Sequence, residues 1–145
     1  MIPCTESIAL AMNEGLLSDV VYFDFAKAFD SVNHDIILDK INNKFHIDGA
    51  LLKFLVNYLQ DRKQCVQIGG TKSSLKEVKS GVPQGSILGP LLFVFFINDM
   101  SDVVSTGTQI VLYADDAKIW RNICYWNDHE ILQKDISALC DWSVI

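Results

Sequence analysis

Residues 110–120, IVLYADDAKIW, constrain the fold more than any other stretch of the sequence. Eight of these eleven residues are apolar, and two adjacent carboxylates, Asp115 and Asp116, interrupt them. Adjacent anions repel each other, and a charge among apolar neighbours is costly unless a partner neutralises it. We predict strands at residues 108–113 and 117–120, joined as a hairpin with the carboxylates where the chain bends.

A second carboxylate-bearing strand is predicted at residues 19–25, because VVYFDF is rich in β-branched and aromatic residues and holds one charge, Asp24, near its end. If this strand and the hairpin are neighbours in one sheet, Asp24, Asp115 and Asp116 meet at one edge. Mg²⁺ prefers such hard oxygen ligands, and two ions about 3.5–4 Å apart can support phosphoryl transfer. The alternative is that Asp115 and Asp116 only form a turn and that Asp24 ends a strand. Spacing alone leaves both interpretations open.

The remaining segments alternate between helical and strand-like patterns. Asn33 or Asp35 could cap a helix, and residues 80–90 form a Gly/Pro-rich loop that enters another helix. A strand is expected at residues 65–68, followed by a turn at Gly69 and Gly70, with a partner strand near residues 75–78. Interspersed helices and hairpins favour an α+β or α/β fold with an antiparallel sheet.

Composition places limits on class and compartment. The chain has 145 residues, of which 50% are hydrophobic and 21% charged, as expected for one globular domain or part of one. The four cysteines lack a Cys-x-x-Cys pair, so we interpret them as reduced thiols of an intracellular protein, with nucleus and cytoplasm both open. No signal peptide is visible, and the longest apolar run, residues 87–97, is too short to span a bilayer, so no membrane partner is expected. The net charge of −6 argues against nucleic-acid binding.

Three segments, in this order and spacing, resemble the reverse transcriptase domain of non-LTR (LINE-type) retrotransposons. They are VVYFDFAKAFDSVNH at residues 20–34, GVPQGSILGPLLF at residues 81–93 and YADD at residues 113–116. A fourth, LQKDISALCDWSV at residues 132–144, resembles the helix that follows the YADD hairpin in that family. YADD alone is a weak signal, whereas the set is specific and covers nearly the whole chain.

The resemblance implies a partial polymerase palm of the α+β class. Its antiparallel sheet carries the carboxylates, and helices pack on its back face. Residues 1–145 would then be a single partial reverse transcriptase domain, with the basic fingers segments and the thumb outside the sequence. Their absence would also account for the acidic balance of the chain.

The activity implied is RNA-directed DNA polymerisation with two Mg²⁺ or Mn²⁺ ions. A DNA primer on an RNA template would attack the α-phosphate of a deoxynucleoside triphosphate through its 3′-hydroxyl. By resemblance, Asp24 and Asp115 bind both ions, Asp116 assists, and the backbone carbonyl of Phe25 is a further ligand. A catalytically inactive retrotransposon remnant is the alternative, and a primer-extension assay distinguishes the two.

Further roles follow from the resemblance. Phe29 would exclude the 2′-hydroxyl of a ribonucleotide, Gln84 and Gly85 would contact the incoming nucleotide, and Tyr113 would contact the primer end. Each has a structural alternative: Phe29 as a core residue, the glutamine and glycine as an ordinary turn, and Tyr113 as aromatic packing. The basic residues of the middle third could contact nucleic-acid phosphates or form a solvated surface; they are Arg62, Lys63, Lys72, Lys76 and Lys79.

Overall fold

The computed structural model describes residues 2–143, which form two compact units. The first unit combines the two ends of the chain, up to Ala26 and from Asn98 onward. The second unit is Lys27–Ile97. Whether the two make one domain, as the sequence predicts, stays a prediction.

A three-stranded antiparallel sheet forms the centre of the first unit. Its strands are β1 (Leu17–Asp24), β6 (Thr108–Tyr113) and β7 (Asp116–Ile123), in the order β1–β7–β6. The prediction for residues 108–113 is confirmed, and the strand predicted at residues 117–120 runs further in both directions. Ile119 and Trp120 of the central strand are almost fully buried, which explains why the sheet needs cover on both faces.

Two long helices and a short 3₁₀ turn complete the first unit. The helices are α1 (Ile2–Asn13) and α6 (Asp128–Ser143), and the 3₁₀ turn is Asn98–Val103. In α6 the buried side chains recur every three or four residues, so they line one face of the helix. They are Asp128, Leu132, Asp135, Leu139 and Trp142.

The two helices pack on opposite faces of the sheet. Side chains alternate along a strand, so Asp116 and Trp120 share one face of β7 while Arg121 points to the other. Trp120 donates a hydrogen bond to Ser7 of α1 at 3.3 Å, and Arg121 pairs with Asp128 of α6 at 2.9 Å. The predicted α+β class is confirmed, with an antiparallel sheet that carries the carboxylates. Of the two helices, α6 lies on the back face, whereas α1 packs on the face that Asp116 shares.

The second unit is mainly helical. Its helices are α2 (Ala28–Ser31), α3 (His34–Asp39) with a π-helical turn (Lys40–Lys44), α4 (Gly49–Leu59) and α5 (Leu88–Ile97). Of the two caps predicted for α3, Asn33 is the N-cap, because its side chain accepts hydrogen bonds from the backbone N–H groups of Asp35 and Ile36. The most apolar helix, α5, is ten residues long. No helix within residues 2–143 has both the length and the apolar character that crossing a membrane requires.

The hairpin region of the second unit differs from the prediction. Its strands are β2 (Lys63–Gln64), β3 (Gln67–Ile68), β4 (Thr71–Lys72) and β5 (Lys76–Glu77), where β3 pairs with β4 and β2 with β5. The partner predicted near residues 75–78 for the strand at residues 65–68 is therefore wrong. Gly69 and Gly70 both have positive φ, 54° and 85°, and they reverse the chain within two residues. The strand consequently pairs with the residues that follow the turn at once.

Candidate active site

Asp24 and Asp116 face each other across two neighbouring strands. Asp24 ends β1 and Asp116 begins β7, and the two are direct partners in the antiparallel register. Directly opposed residues lie on the same face of a sheet, with Cβ atoms about 4.5–5.5 Å apart. Both side chains are exposed. We call Asp24, Asp115 and Asp116 the carboxylate edge.

Asp115 lies in the tight turn of the hairpin. Tyr113, the last residue of β6, pairs with Asp116, so only Ala114 and Asp115 join the two strands. Ala114 has φ +53°, a left-handed conformation that costs a non-glycine residue energy and often marks functional sites. The structure therefore places Asp116 directly opposite Asp24, whereas the resemblance gives Asp115 the larger role. The ligand roles of both stay predictions.

The carboxylate edge offers two opposed carboxylates rather than a closed cluster of three. Within residues 2–143, no three His, Cys, Asp or Glu side chains are grouped closely enough to hold a metal ion. In the same range neither Asp24 nor Asp116 forms an ion pair with a basic side chain. Two exposed carboxylates without a counter-ion are hard oxygen donors with unbalanced charge, and this donor set fits a divalent cation such as Mg²⁺.

A largely apolar cavity of about 240 Å³ adjoins the carboxylate edge within the first unit. Tyr22, Tyr113 and Lys118 line it, with Cys4 at its base. Lys118 Nζ lies 4.7 Å from the ring centroid of Tyr22. Hydrogen bonds with Tyr22 and then Cys4 raise the pKa of Lys118, which favours its charged form. Tyr113 is 71% exposed, and both roles that the sequence allows it, contact with the primer end and aromatic packing, stay predictions.

Phe25 anchors the chain directly after Asp24. Its ring lies 6.1 Å from that of Trp142 in an edge-on arrangement, which ties the end of β1 to α6. The contact fixes the backbone whose carbonyl the resemblance makes a metal ligand. That ligand role of Phe25 stays a prediction.

The second unit brings together the three residues expected to contact the nucleotide. Phe29, Gln84 and Gly85 line one open cavity of about 300 Å³. The ring of Phe29 is half-buried and packs 4.3 Å, centroid to centroid, from that of Phe93. Phe29 therefore packs against Phe93 and also lines the cavity. Gln84 is held by a 2.9 Å hydrogen bond from its Nε2 to Asp30 Oδ1.

The segments AFDSVNH and GVPQG are locked together within this unit. Buried His34 hydrogen-bonds through Nε2 to the carbonyl of Gly81 at 2.8 Å. Gly81 has φ +88°, and a Cβ atom there would lie 2.9 Å from the Cα of Asp30. Glycine is therefore required at this position for conformation and for space, and the hydrogen bond of His34 joins the two segments.

The sequence analysis did not identify the buried carboxylates of α6. Asp135 accepts hydrogen bonds from the N–H and Oγ of Ser105, at 2.9 and 2.6 Å, and from Thr108 Oγ1 at 2.5 Å. Asp128 accepts from the N–H groups of Tyr125 and Cys124 and from Arg121 Nε. The bonds from Tyr125 and then Arg121 lower the pKa of Asp128. The sequence feature that could have identified these two carboxylates is their helical spacing within the apolar stripe of α6.

Comparisons with known proteins agree with these observations. Residues 6–143 match the family model described as reverse transcriptase (RNA-dependent DNA polymerase). An RNA-directed DNA polymerase from the mobile element jockey of Drosophila funebris is 32% identical over 130 residues, which cover 85% of this chain and 14% of the relative. A probable RNA-directed DNA polymerase from transposon BS of Drosophila melanogaster is 31% identical over 147 residues, covering 95% of this chain and 16% of the relative.

A third relative extends the comparison to another element. The retrovirus-related Pol polyprotein from the type-1 retrotransposable element R2 of Popillia japonica is 31% identical over 93 residues, or 64% of this chain and 15% of the relative. The chain thus spans between 14 and 16% of the length of these relatives. Since the family model covers nearly the whole sequence, the chain belongs to the reverse transcriptase family, in the branch of the non-LTR retrotransposons.

Proposed function

We propose that this chain carries the catalytic carboxylates of an RNA-directed DNA polymerase. The observation that supports this most is the cross-strand pairing of Asp24 and Asp116 beside the YADD turn, in a chain of the reverse transcriptase family. The substrates would be an RNA template, a DNA primer and deoxynucleoside triphosphates. The reaction joins the primer 3′-hydroxyl to the α-phosphate of the nucleotide and releases pyrophosphate.

Two Mg²⁺ or Mn²⁺ ions are the proposed cofactors. When bound, such ions activate the attacking hydroxyl and stabilise charge on the leaving oxygen. Asp24 and Asp116 would supply carboxylate oxygens from opposed strands, with Asp115 and the carbonyl of Phe25 as further oxygen donors. The exposure of Asp24 and Asp116 leaves their oxygens accessible to the phosphates and to the primer end.

In the second unit, Phe29, Gln84 and Gly85 are proposed to contact the nucleotide. The contact with Phe93 at 4.3 Å fixes the ring of Phe29, and a fixed ring can exclude an added 2′-hydroxyl by shape. Asp30 orients the amide of Gln84 through its 2.9 Å hydrogen bond. Gly85 has φ +75°, and a Cβ atom at this position would have no other atom within 4 Å. The backbone of Gly85 is therefore open to a ligand.

Primer extension on an RNA template tests the proposal. We expect Mg²⁺- or Mn²⁺-dependent extension by the chain, and a loss of roughly 100-fold or more in Asp115→Asn, because each preorganised charge at such a site has an effect of that order. Asp141→Asn, an exposed carboxylate on α6, is the matched control and should leave extension unchanged. Equal activity in the chain and in Asp115→Asn would contradict the proposal.

The inactive remnant remains the second candidate, because within residues 2–143 no three His, Cys, Asp or Glu side chains form a group that could hold a metal ion. It predicts no extension from chain that circular dichroism shows to be folded. Binding of Mn²⁺, followed by its paramagnetic effect on solvent water, would then report on the carboxylate edge without catalysis.

A further inference from the structure

The charges of this acidic chain are unevenly divided between its two units. The second unit carries nine Lys and Arg residues against six Asp and Glu, while the rest of the chain carries three against twelve. The second unit is therefore net positive although the whole chain has a net charge of −6. The second unit therefore favours anions, although the net charge of the whole chain is negative.

Four cations of the second unit line one groove of about 720 Å³. We call it the basic groove; its cations are Lys27, Arg62, Lys63 and Lys79, and two acidic residues, Asp30 and Glu77, also line it. Pairing of β2 with β5 brings residues 63 and 77 opposite each other, which carries Lys79 to the same groove as Arg62 and Lys63. Folding thus assembles cations that are dispersed in the sequence.

In the described part of the chain, the two acidic residues of the groove form no ion pair with its cations. Within residues 2–143, none of the four forms an ion pair with a carboxylate. The carboxylate of Asp30 accepts the hydrogen bond from Gln84 instead. Four cations against two carboxylates leave the groove net positive, so an anion bound there is favoured.

Arg62 is held in place before any ligand arrives. Its Nη1 donates to the carbonyl of Tyr58 at 3.2 Å, and the centre of its guanidinium lies 5.2 Å from the ring centroid of Tyr58. A guanidinium has five N–H donors, so donors remain for a phosphate. The ordering entropy of this side chain is partly lost before binding, which favours affinity.

We propose that the basic groove binds the phosphate backbone of a nucleic-acid strand through Arg62, Lys63 and Lys79. A strand fits better than a single phosphate, because the groove has a volume of about 720 Å³ and its Lys27, Lys63 and Lys79 are exposed rather than buried around one point. Contacts to phosphate carry no base information, so RNA and DNA strands should bind alike. The proposal rests on the proposed function only for the identity of the strand, template or primer; binding itself requires neither metal nor the carboxylate edge.

The test is the salt dependence of binding, measured by fluorescence anisotropy with labelled single-stranded RNA and DNA oligonucleotides in EDTA. The groove variant is Arg62→Gln, Lys63→Gln and Lys79→Gln combined. The control variant is Lys44→Gln, Lys53→Gln and Lys134→Gln, which removes the same charge from exposed lysines outside the groove. Circular dichroism confirms that both are folded.

We expect the groove variant to lower the slope of log affinity against log salt by about 2, from three lost contacts at ~0.7 each for a single strand. Between about 50 and 200 mM salt, this makes its loss of affinity roughly 16-fold smaller than that of the unmodified chain. The control variant should keep the original slope. Equal slopes in the two variants would show that only total charge matters, and would overturn the proposal.

Two further arms separate the sources of phosphate and the two proposals. Inorganic tripolyphosphate should compete weakly, and binding of tripolyphosphate without binding of oligonucleotides would overturn the strand assignment. Asp141→Asn, an exposed carboxylate of α6 outside both the carboxylate edge and the basic groove, should bind oligonucleotides as the unmodified chain does. A chain that binds strands through the groove but extends no primer would refute the proposed function while supporting this inference.

Discussion

Replacing Asp135 should destabilise the first unit even though the residue lies outside the carboxylate edge. Asp135 is 2% exposed and accepts three hydrogen bonds, two from Ser105 and one from Thr108. Thr108 is the first residue of β6, the strand that leads to the YADD turn. These bonds therefore join α6 to the hairpin that carries Asp115 and Asp116.

The size of the effect follows from which donors would lose their partner. In Asp135→Asn one oxygen remains for Ser105, but an amide nitrogen in place of Oδ2 cannot accept from the hydroxyl of Thr108, which is 8% exposed. A hydrogen bond to a charged group is worth about 1.5–3 kcal/mol, so we expect a loss of that size. Asp135→Ala removes all three bonds, yet the groups of Ser105 are exposed and water can replace two of them. The alanine variant should then lose about 3–5 kcal/mol.

Tryptophan fluorescence during urea unfolding is a suitable assay, because Trp120, Trp126 and Trp142 all belong to the first unit. Asp141→Asn, exposed on the same helix, should change the free energy of unfolding by less than about 0.5 kcal/mol. If Asp135→Asn behaves like this control, the hydrogen bonds do not stabilise the unit and the reasoning is refuted.

Substitutions at Asp116, Asp128 and Gly81 test three other parts of the structure. Asp116→Asn should abolish metal-dependent primer extension. It should also raise the free energy of unfolding by about 0.2–1 kcal/mol, because it removes a like charge directly opposite another. Urea unfolding at low and at high salt measures this gain, which should be larger at low salt. The hydrogen bonds that Asp128 accepts lower its pKa, so its stabilisation should be complete above the ordinary Asp pKa of 3.8 and be lost as pH falls through the lower folded value. The urea concentration at the midpoint of unfolding should fall less steeply with decreasing pH in Asp128→Asn than in the unmodified chain. Gly81→Ala should cost more than about 1 kcal/mol by circular dichroism, and more than Gly85→Ala, whose Cβ meets no atom within 4 Å.

The sequence predicted the strands that carry the carboxylates better than it predicted the hairpin of the second unit. The strand Thr108–Tyr113 was found at its observed bounds because an apolar run with β-branched residues is flanked by turn residues. The turn at Gly69 and Gly70 was predicted, but the partner strand was not, since the two-residue strands beside the turn are exposed and leave no periodic pattern. There the positive φ of the glycines, rather than burial, sets the pairing.

The sequence predicted which carboxylates form the candidate site, but not which of them lie opposite each other in the sheet. The motifs named Asp24, Asp115 and Asp116 as a set, and adjacency in sequence could not show which of the last two would face Asp24. That choice depends on the length of the turn, which places Asp116 opposite both Tyr113 and Asp24. The sequence also named Arg62, Lys63 and Lys79 as possible phosphate contacts, but it could not show that these three share a groove and that Lys72 and Lys76 lie outside it, because that depends on the pairing of β2 with β5.

The geometry of the carboxylate edge explains why the YADD segment needs so much support elsewhere in the first unit. Opposed carboxylates destabilise a sheet by up to about 1 kcal/mol, and a left-handed alanine in the turn adds about 1–3 kcal/mol. Both costs fall at the turn end of β6 and β7, while the bonds of Asp135 and Asp128 hold the opposite ends of these strands. Stabilisation and strain are thus separated along the same hairpin. Such a division lets the edge retain unbalanced charge for a cation while the sheet that presents it stays folded.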